Sequence, residues 1–506
     1  MLDKMHTETV DDPQADDGPK ASPLGGPPSL RTFARIEQFD DGAGGWHDVP
    51  RVPLIWAAIA LRHFGDDDVV RWRDCWWRWG GSHWRETADG EMSAAVRIAL
   101  ARVECRAKNG DDTRAPLLTV DRKVISETLA ALSDLVRVPD EVEPFTWRTP
   151  QSGDALPADL IVCKNGLFDL RRRKLLPSDR RYMATGTGDW KYSRTDHIEW
   201  NRWLRELWPD QASRDHIQEV IGLLISGDRN LQKILALIGR TRSGKSLFLR
   251  IVGEILGPAQ AVTVSSAAFG ETFGLSGTIG KRLVMIADLR LGRQVDRGAL
   301  AERFLTFSGE DRASIAQKFR GDWSGTPTAR LVYAANEPLT IADDSSALPN
   351  RTVPVVFERS WLGREDPTLI NRFRDELPGI VEWAAVGLAR LRERGRFTLP
   401  PAAERMLSDM VGDASPITQF VADQCVREPE ARIETDELWR EWRTWAEAAG
   451  ERPGTQTSFG RALRAAFPEI VNGRSKGGRS ERRSRSYVGI RLRWKDDTVS
   501  RRVHAL

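Results

Sequence analysis

Apolar positions along the chain fall into blocks with different spacing. Residues 1–30 carry almost no large apolar groups and many Asp, Pro and Gly, so a disordered tail is predicted. Ile55, Trp56, Ile59, Ala60 and His63 recur at helical spacing. From Trp72 to Trp84 large aromatics alternate with polar groups around Gly80-Gly81, which predicts a hairpin. A second hairpin turn is expected at Asn165-Gly166, between Leu160-Ile161-Val162-Cys163 and Leu167-Phe168. Over residues 196–228, Trp200, Trp203, Leu204, Leu207 and Trp208 mark a buried helix face. Residues 232–395 alternate strand-like and helix-like runs, the pattern of an α/β domain. Pro400-Pro401 and the polar stretch to Gly412 suggest a linker.

The last block reads as three helices and a strand. Ser415-Pro416 opens a stretch with Ile417, Phe420, Val421 and Cys425 at helical spacing. A second helix is expected from about Thr435 to Ala449, and a third near Thr457-Ser458 carrying Phe459, Leu463, Ala466 and Phe467. Val488, Ile490, Leu492 and Trp494 then alternate with Gly489, Arg491, Arg493 and Lys495, as a half-buried strand does. Between third helix and strand lies a basic loop with Arg474, Lys476, Arg479, Arg482, Arg483 and Arg485. Such an order spells a winged helix whose loop could neutralise phosphates and whose third helix could enter a groove. A merely solvated charge run is the alternative.

The expected fold is thus α/β and multidomain. Its parts are a disordered tail (1–30), a Trp-rich N-terminal α+β domain (31–158), a hairpin and helical collar (159–230), an α/β core (231–395), a linker (396–414), a winged helix (415–495) and a short tail (496–506). A length of 506 residues, at roughly 100–200 per domain, accommodates this.

Composition narrows the chemistry. Net charge is only +3, so nucleic-acid binding would depend on local patches. Cys75, Cys105, Cys163 and Cys425 are widely spaced, which implies neither a zinc site nor a disulfide framework. A reduced, cytoplasmic setting is expected, with no signal-peptide pattern and no membrane-length apolar run. The 19 tryptophans against four tyrosines suggest packing; in the N-terminal hairpin, interleaved with Arg71, Arg73, Arg78 and Arg85, they could also stack on single-stranded bases.

The strongest motif is Gly239-Arg240-Thr241-Arg242-Ser243-Gly244-Lys245-Ser246, a full match to GxxxxGK[ST]. The apolar run 234–238 precedes it, and Leu247/Phe248, Ile251/Val252 and Ile255/Leu256 follow at four-residue intervals. The loop therefore sits between a strand and a helix, where backbone N–H groups and the helix N-terminus cradle phosphates. Lys245 would reach the β- and γ-phosphates of ATP, and Ser246 would ligate Mg²⁺. Arg282–Ile286 leads as a buried strand to Ala287-Asp288, an acid suited to hold the Mg²⁺ shell. Leu331–Ala335 ends in Asn336-Glu337-Pro338, where the amide could position water; a simple turn is the alternative. Arg351 precedes Val353–Phe357 and could serve as an arginine finger toward a neighbouring subunit, or form a surface ion pair. Lys318, Phe319 and Arg320 form a short basic and aromatic segment able to grip DNA.

Taken in order, GRTRSGKS, KRLVMIAD, SGEDRASIAQKFRGDWSG, ARLVYAANEPL, DDSSALPNRTVPVVF and GREDPTL resemble the phage/plasmid primase-helicase family of superfamily 3. The resemblance covers roughly residues 160–395. It implies an AAA+ ring motor, usually a hexamer, that hydrolyses ATP and moves 3′ to 5′ on single-stranded DNA. It also implies a DNA-contacting hairpin at Lys318, a sensor amide at Asn336, an arginine finger at Arg351, and a C-terminal winged helix on duplex DNA. This chain departs from the pattern at Ala287-Asp288, which lacks a doubled acid; Asp288 is the expected metal ligand, and Glu337 is a second candidate for activating water. A polymerising primase is not expected in residues 31–150, where Asp66-Asp67-Asp68 is the only close acidic cluster. A separate primase or polymerase is then a natural partner. Three rivals remain: an ATP-switched initiator or loader, a primase-helicase with a cryptic primase, and a small-molecule kinase.

Overall fold

The computed structural model describes residues 52–101, 103, 118–271, 273–289, 297–309, 311–318, 321–339, 347–414, 416–449, 453–474 and 485–493. The expected tails at 1–30 and 496–506 lie outside these residues. The chain divides into two compact units, one of residues up to 79 and 85–142, the other of residues 80–84 and 143 onward.

The first unit contains helix α1 (Pro53–Phe64), strands β1 (Val69–Trp72), β2 (Cys75–Trp79) and β3 (Trp84–Thr87, its first residue grouping with the second unit), and helices α2 (Asp89–Leu100) and α3 (Arg122–Leu135). Proline in the first turn starts α1, and Asp121 caps α3 by accepting from the Val124 N–H at 2.8 Å. Met92, Val96 and Leu100 on α2 pack with Trp56, Leu61 and Trp76. The expected hairpin around Gly80-Gly81 is present, joining the neighbouring strands β2 and β3 with the Gly80 N–H donating to the His83 oxygen at 2.9 Å, and a second, tighter turn precedes it at Arg73-Asp74, between the paired Trp72 and Cys75. Both turn residues have positive φ, 51° and 57°, the geometry a two-residue hairpin needs. Neither residue is a glycine or asparagine, so the usual turn signal is missing. Trp72, Trp76 and Trp84 are buried, which accounts for them by packing.

The second unit begins with an antiparallel sheet of β4 (Leu160–Cys163), β5 (Gly166–Asp169) and β6 (Lys174–Leu176). Cys163 pairs with Gly166, so the turn itself is Lys164-Asn165. Gly166 begins the next strand, where a Cβ would lie 2.3 Å from the Leu176 carbonyl oxygen; only glycine fits. Helices α4 (Ile198–Leu207) and α5 (Gln211–Ile225) follow.

The central layer is a five-stranded sheet. Its elements, in chain order with their helices, are β7 (Ile234–Gly239), α6 (Lys245–Leu256), β8 (Ala261–Thr263), α7 (Ser266–Gly270), β9 (Leu283–Ile286), α8 (Arg297–Gly309), the hairpin β10 (Ala313–Ile315) and β11 (Trp323–Gly325), β12 (Arg330–Ala335), α9 (Ala347–Arg351) and β13 (Thr352–Phe357). The sheet order is β13-β7-β12-β9-β8 and every pairing is parallel. Continuous apolar strands are what a parallel sheet covered on both faces requires. On β7, Leu235 and Leu237 join one core with Trp200, Phe248 and Leu388, while Ile234, Ala236 and Ile238 join another with Phe304 and Tyr333. In the first of these cores Trp200 packs against Trp203, Phe373 and Trp383, so the abundance of tryptophan is again explained by burial.

Helices α10 (Leu369–Asp375) and α11 (Leu377–Arg394) close that face. The α5–α11 crossing is made close by glycine on both sides. A Cβ on Gly222 would lie 2.5 Å from the Ala384 oxygen, and one on Gly387 would lie 2.4 Å from the Gln218 carbonyl. Gly387→Ala should therefore destabilise the protein by about 1–3 kcal/mol, read as a lower urea midpoint with unchanged slope; an unchanged midpoint would mean the helices separate freely.

The expected linker at 396–414 contains a helix, α12 (Pro401–Ala414). Pro401 occupies its first position, where no N–H is needed, and Ala403 and Met410 are buried; the proline pair signals a helix start and not a break. The remaining elements are α13 (Pro416–Gln424), β14 (Cys425–Glu434), α14 (Thr435–Ala448), α15 (Gln456–Ala466), β15 (Val471–Arg474) and β16 (Arg485–Leu492). The three strands form an antiparallel sheet, ordered β14-β16-β15. Phe420 centres its core, 5.5 Å from Trp442 and 6.2 Å from Phe459. Sequence reading missed β14 because half of its residues are charged and its register shifts between Arg427 and Arg432, around a proline.

Candidate nucleotide site

The loop after β7 and the N-terminus of α6 line a cleft of 930 Å³. Gly244 precedes α6 with φ 100°, a conformation open to glycine and strained for other residues. At the other end of the loop, a Cβ on Gly239 would lie 2.2 Å from the Phe357 carbonyl oxygen. These two positions explain the glycines in GxxxxGKS by space and by φ.

The Lys245 ammonium donates to the Gly239 oxygen at 2.5 Å and the Arg240 oxygen at 2.8 Å, with Ser243 Oγ and Asn336 Oδ1 each at 3.4 Å. Burial lowers its pKa from the usual lysine value, and the Asp288 charge opposes that shift. Asp288 and Asn336 stand just beyond the ends of β9 and β12, both exposed, and both line the cleft with Ser246. Because β7, β12 and β9 are adjacent and parallel, their carboxyl ends bring Lys245, Asn336 and Asp288 together. Ligands of open α/β sheets bind at such ends.

Among the described residues no group of three or more His, Cys, Asp or Glu side chains could hold a metal ion. Of the oxygen-bearing side chains that line the cleft, the Ser246 hydroxyl stands in the first turn of α6 and the Asp288 carboxylate just beyond the end of β9, beside the loop. That set fits Mg²⁺, which usually takes one or two protein ligands and completes its shell with phosphate oxygens and water. Glu337 is exposed and is not among the residues lining the cleft.

Arg351 is not brought to this cleft. It precedes β13, at the opposite end of the sheet from Gly239, which pairs with Phe357. At about 3.3 Å per strand residue the separation is roughly 17–20 Å, beyond an arginine's reach within one chain. Its guanidinium donates to the Leu305 oxygen at 3.0 Å and to Ser308 Oγ at 3.3 Å, near the C-terminal end of α8.

Lys318 lies on the segment joining β10 to β11, exposed, with its ammonium 5.9 Å from the Phe273 ring centre. Phe319 and Arg320 lie outside the described residues, as do Lys476, Arg479, Arg482 and Arg483. Arg474 and Arg485 pair across β15 and β16, and Arg485 is exposed.

Sequence reading assigned no role to one wall of the cleft. Residues 358–372, following β13, hold down the loop between β7 and α6: Ser360 Oγ donates to the Thr241 oxygen at 2.9 Å and the Trp361 N–H donates to the Arg242 oxygen at 2.8 Å. Arg242, at φ 59°, pairs with Glu365 at 3.5 Å. Glu199, Arg202 and Glu206 of α4 line the same cleft. The only signal in the sequence was the polar run GREDPTL, which carries no phosphate-binding pattern of its own.

Comparison with known proteins agrees with part of this reading. Residues 57–209 match the family described as D5 N terminal like, and residues 237–351 match a family of unknown function (DUF5906). No curated protein matches the chain. Two solved structures of the C-terminal region of NrS-1, both apo A forms, cover 87% of this chain and 100% of their own; TM-scores are 0.50 and 0.51, at 9% and 10% identity. At that identity the likeness is one of fold, a mixed α/β chain with a parallel sheet. The D5 N terminal like match supports a relationship to the primase-helicase proteins of phage replication. No helix among the described residues is long and apolar enough to cross a membrane.

Proposed function

We propose that this chain is an ATP-driven DNA helicase motor of the superfamily 3, AAA+ type, acting in phage or plasmid replication. The observation that carries the proposal is the convergence of Lys245, Asp288 and Asn336 at the carboxyl ends of three adjacent parallel strands, around a glycine-bearing loop. The Lys245 ammonium and the loop N–H groups bind the phosphates of ATP. Ser246 and Asp288 hold Mg²⁺, which when bound neutralises phosphate charge. Asn336, within 3.4 Å of Lys245, orients the attacking water.

Arg351, on the far rim of the sheet, acts on the nucleotide of a neighbouring subunit, so the working form is a ring, a hexamer by family resemblance. Lys318, at the tip of the β10–β11 hairpin, grips single-stranded DNA, and the family resemblance gives 3′ to 5′ movement. The α13–α15 helices with their antiparallel sheet support a winged helix that binds duplex DNA through α15 and residues 474–485.

ATP hydrolysis measured with and without single-stranded DNA, followed by strand displacement on a forked duplex, tests the proposal. Hydrolysis should rise with DNA and unwinding should follow. Lys318→Ala should remove most of the DNA stimulation while leaving DNA-free hydrolysis unchanged. Stimulated hydrolysis without unwinding would favour an ATP-switched initiator, and hydrolysis indifferent to DNA would overturn the motor altogether.

A further inference from the structure

The cleft wall built by residues 358–372 carries three arginines, Arg359, Arg364 and Arg372, and two of them have side-chain contacts within the protein. Arg372 bonds Asp366 at 2.6 Å and pairs with Glu199 at 3.2 Å. Glu365 pairs with Arg242. Arg359 lies 4.1 Å from the Trp361 ring centre and donates to the Glu206 carbonyl oxygen. Arg364 differs. Its backbone N–H closes a turn onto the Trp361 oxygen at 2.7 Å, its guanidinium has no side-chain partner among the described residues, and it lines the nucleotide cleft.

Its position along the wall is constrained. The next residue, Glu365, is paired with Arg242 on the tip of the phosphate loop, and consecutive Cα atoms are about 3.8 Å apart. Ser360 and Trp361 tie the preceding turn to the carbonyls of Thr241 and Arg242. An uncompensated guanidinium is thus fastened beside the tip of a loop whose N–H groups cradle phosphates. A planar fork of N–H donors suits phosphate oxygens, and an anion there would supply the missing counter-charge.

The geometry points to Arg364 as a binding residue for the terminal phosphates of a nucleoside triphosphate, supplied by the same chain as the loop. This rests on the nucleotide reading of the cleft. Arg364 approaches from the β13 side of the loop, opposite to Asn336 on the β12 side, so the terminal phosphate is held between two flanks. Arg351 cannot do this within one chain, because it lies on the other rim. Loss of the terminal phosphate would leave Arg364 uncompensated again, so the wall distinguishes a triphosphate from a diphosphate.

The test is equilibrium binding of fluorescent ATP and ADP analogues to the full chain, for wild type, Arg364→Ala, Arg364→Lys, Leu362→Ala and Lys245→Ala, with melting temperatures alongside. Arg364→Ala should weaken ATP about 10- to 100-fold and ADP far less, Arg364→Lys should recover part of the loss, and Leu362→Ala, an exposed neighbour on the same wall, should match wild type. Equal affinities in wild type and Arg364→Ala, or an equal fall for ATP and ADP, would overturn the assignment and leave the nucleotide site standing. Wild-type protein that binds neither nucleotide, or binding that survives Lys245→Ala undiminished, would overturn the site and this inference together.

Discussion

Lys245→Ala is expected to lower ATP hydrolysis by at least 10²–10³-fold while leaving the protein folded. The rate effect follows from removing a preorganised cation aimed at charge that develops on the phosphates, where loss of a single donor costs about that much. The folding argument rests on the sign of the pKa shift. Burial lowers the Lys245 pKa in the folded chain, so between the folded and unfolded values the unfolded chain binds more protons and stability rises with pH. Below both values the charged side chain is held in the native state at a cost. Deleting it should leave the melting temperature unchanged or slightly higher at neutral pH, with the advantage shrinking as pH rises through the lysine range. An inactive variant that also melts early would instead make Lys245 a structural residue whose bonds to Gly239 and Arg240 shape the loop.

The second large effect concerns Arg351. Its replacement by alanine should lower hydrolysis by about 10³–10⁵-fold, the range for an arginine that stabilises phosphoryl transfer from across an interface, with nucleotide affinity little changed. A local cost to α8 is also expected, because the guanidinium bonds the Leu305 oxygen near the end of that helix. Mixing separates the two roles. Arg351→Ala protein has an intact loop, and Lys245→Ala protein has an intact arginine. Neither should hydrolyse ATP alone, yet mixed assemblies contain interfaces where one supplies the arginine to the other's loop, so activity should reappear on mixing. Two inactive proteins that stay inactive together, though both remain folded and associated, would remove the trans role of Arg351.

Much of the site could be read from spacing because its geometry is local. A strand, a tight glycine loop and a helix follow one another within 234–256, and each leaves a mark in the order of apolar and small residues. Asp288 and Asn336 were legible for a related reason: each closes an apolar strand. What spacing could not reveal was set by long-range contacts. Arg364 and Glu365 line the cleft because the chain after β13 turns back to the loop, and nothing in GREDPTL encodes the bond from Trp361 to Arg242. The Arg73-Asp74 turn was hidden because two ordinary residues adopt positive φ, and β14 because charged residues face outward on both sides of a proline. At α12, the same Pro-Pro pair that can end a structure begins one, and only the burial of Ala403 and Met410 distinguishes the two.

The opposite placement of Lys245 and Arg351 on the two rims of one parallel sheet has an arithmetic consequence. With the trans role proposed for Arg351, each chain would carry two half-sites that face away from each other, and an isolated chain would have no complete one. An open row of n chains has n − 1 complete sites, and closing the row adds the last. Specific activity per chain should then climb with protein concentration and level off when rings close, so dilution alone acts as an off-switch that requires no inhibitor.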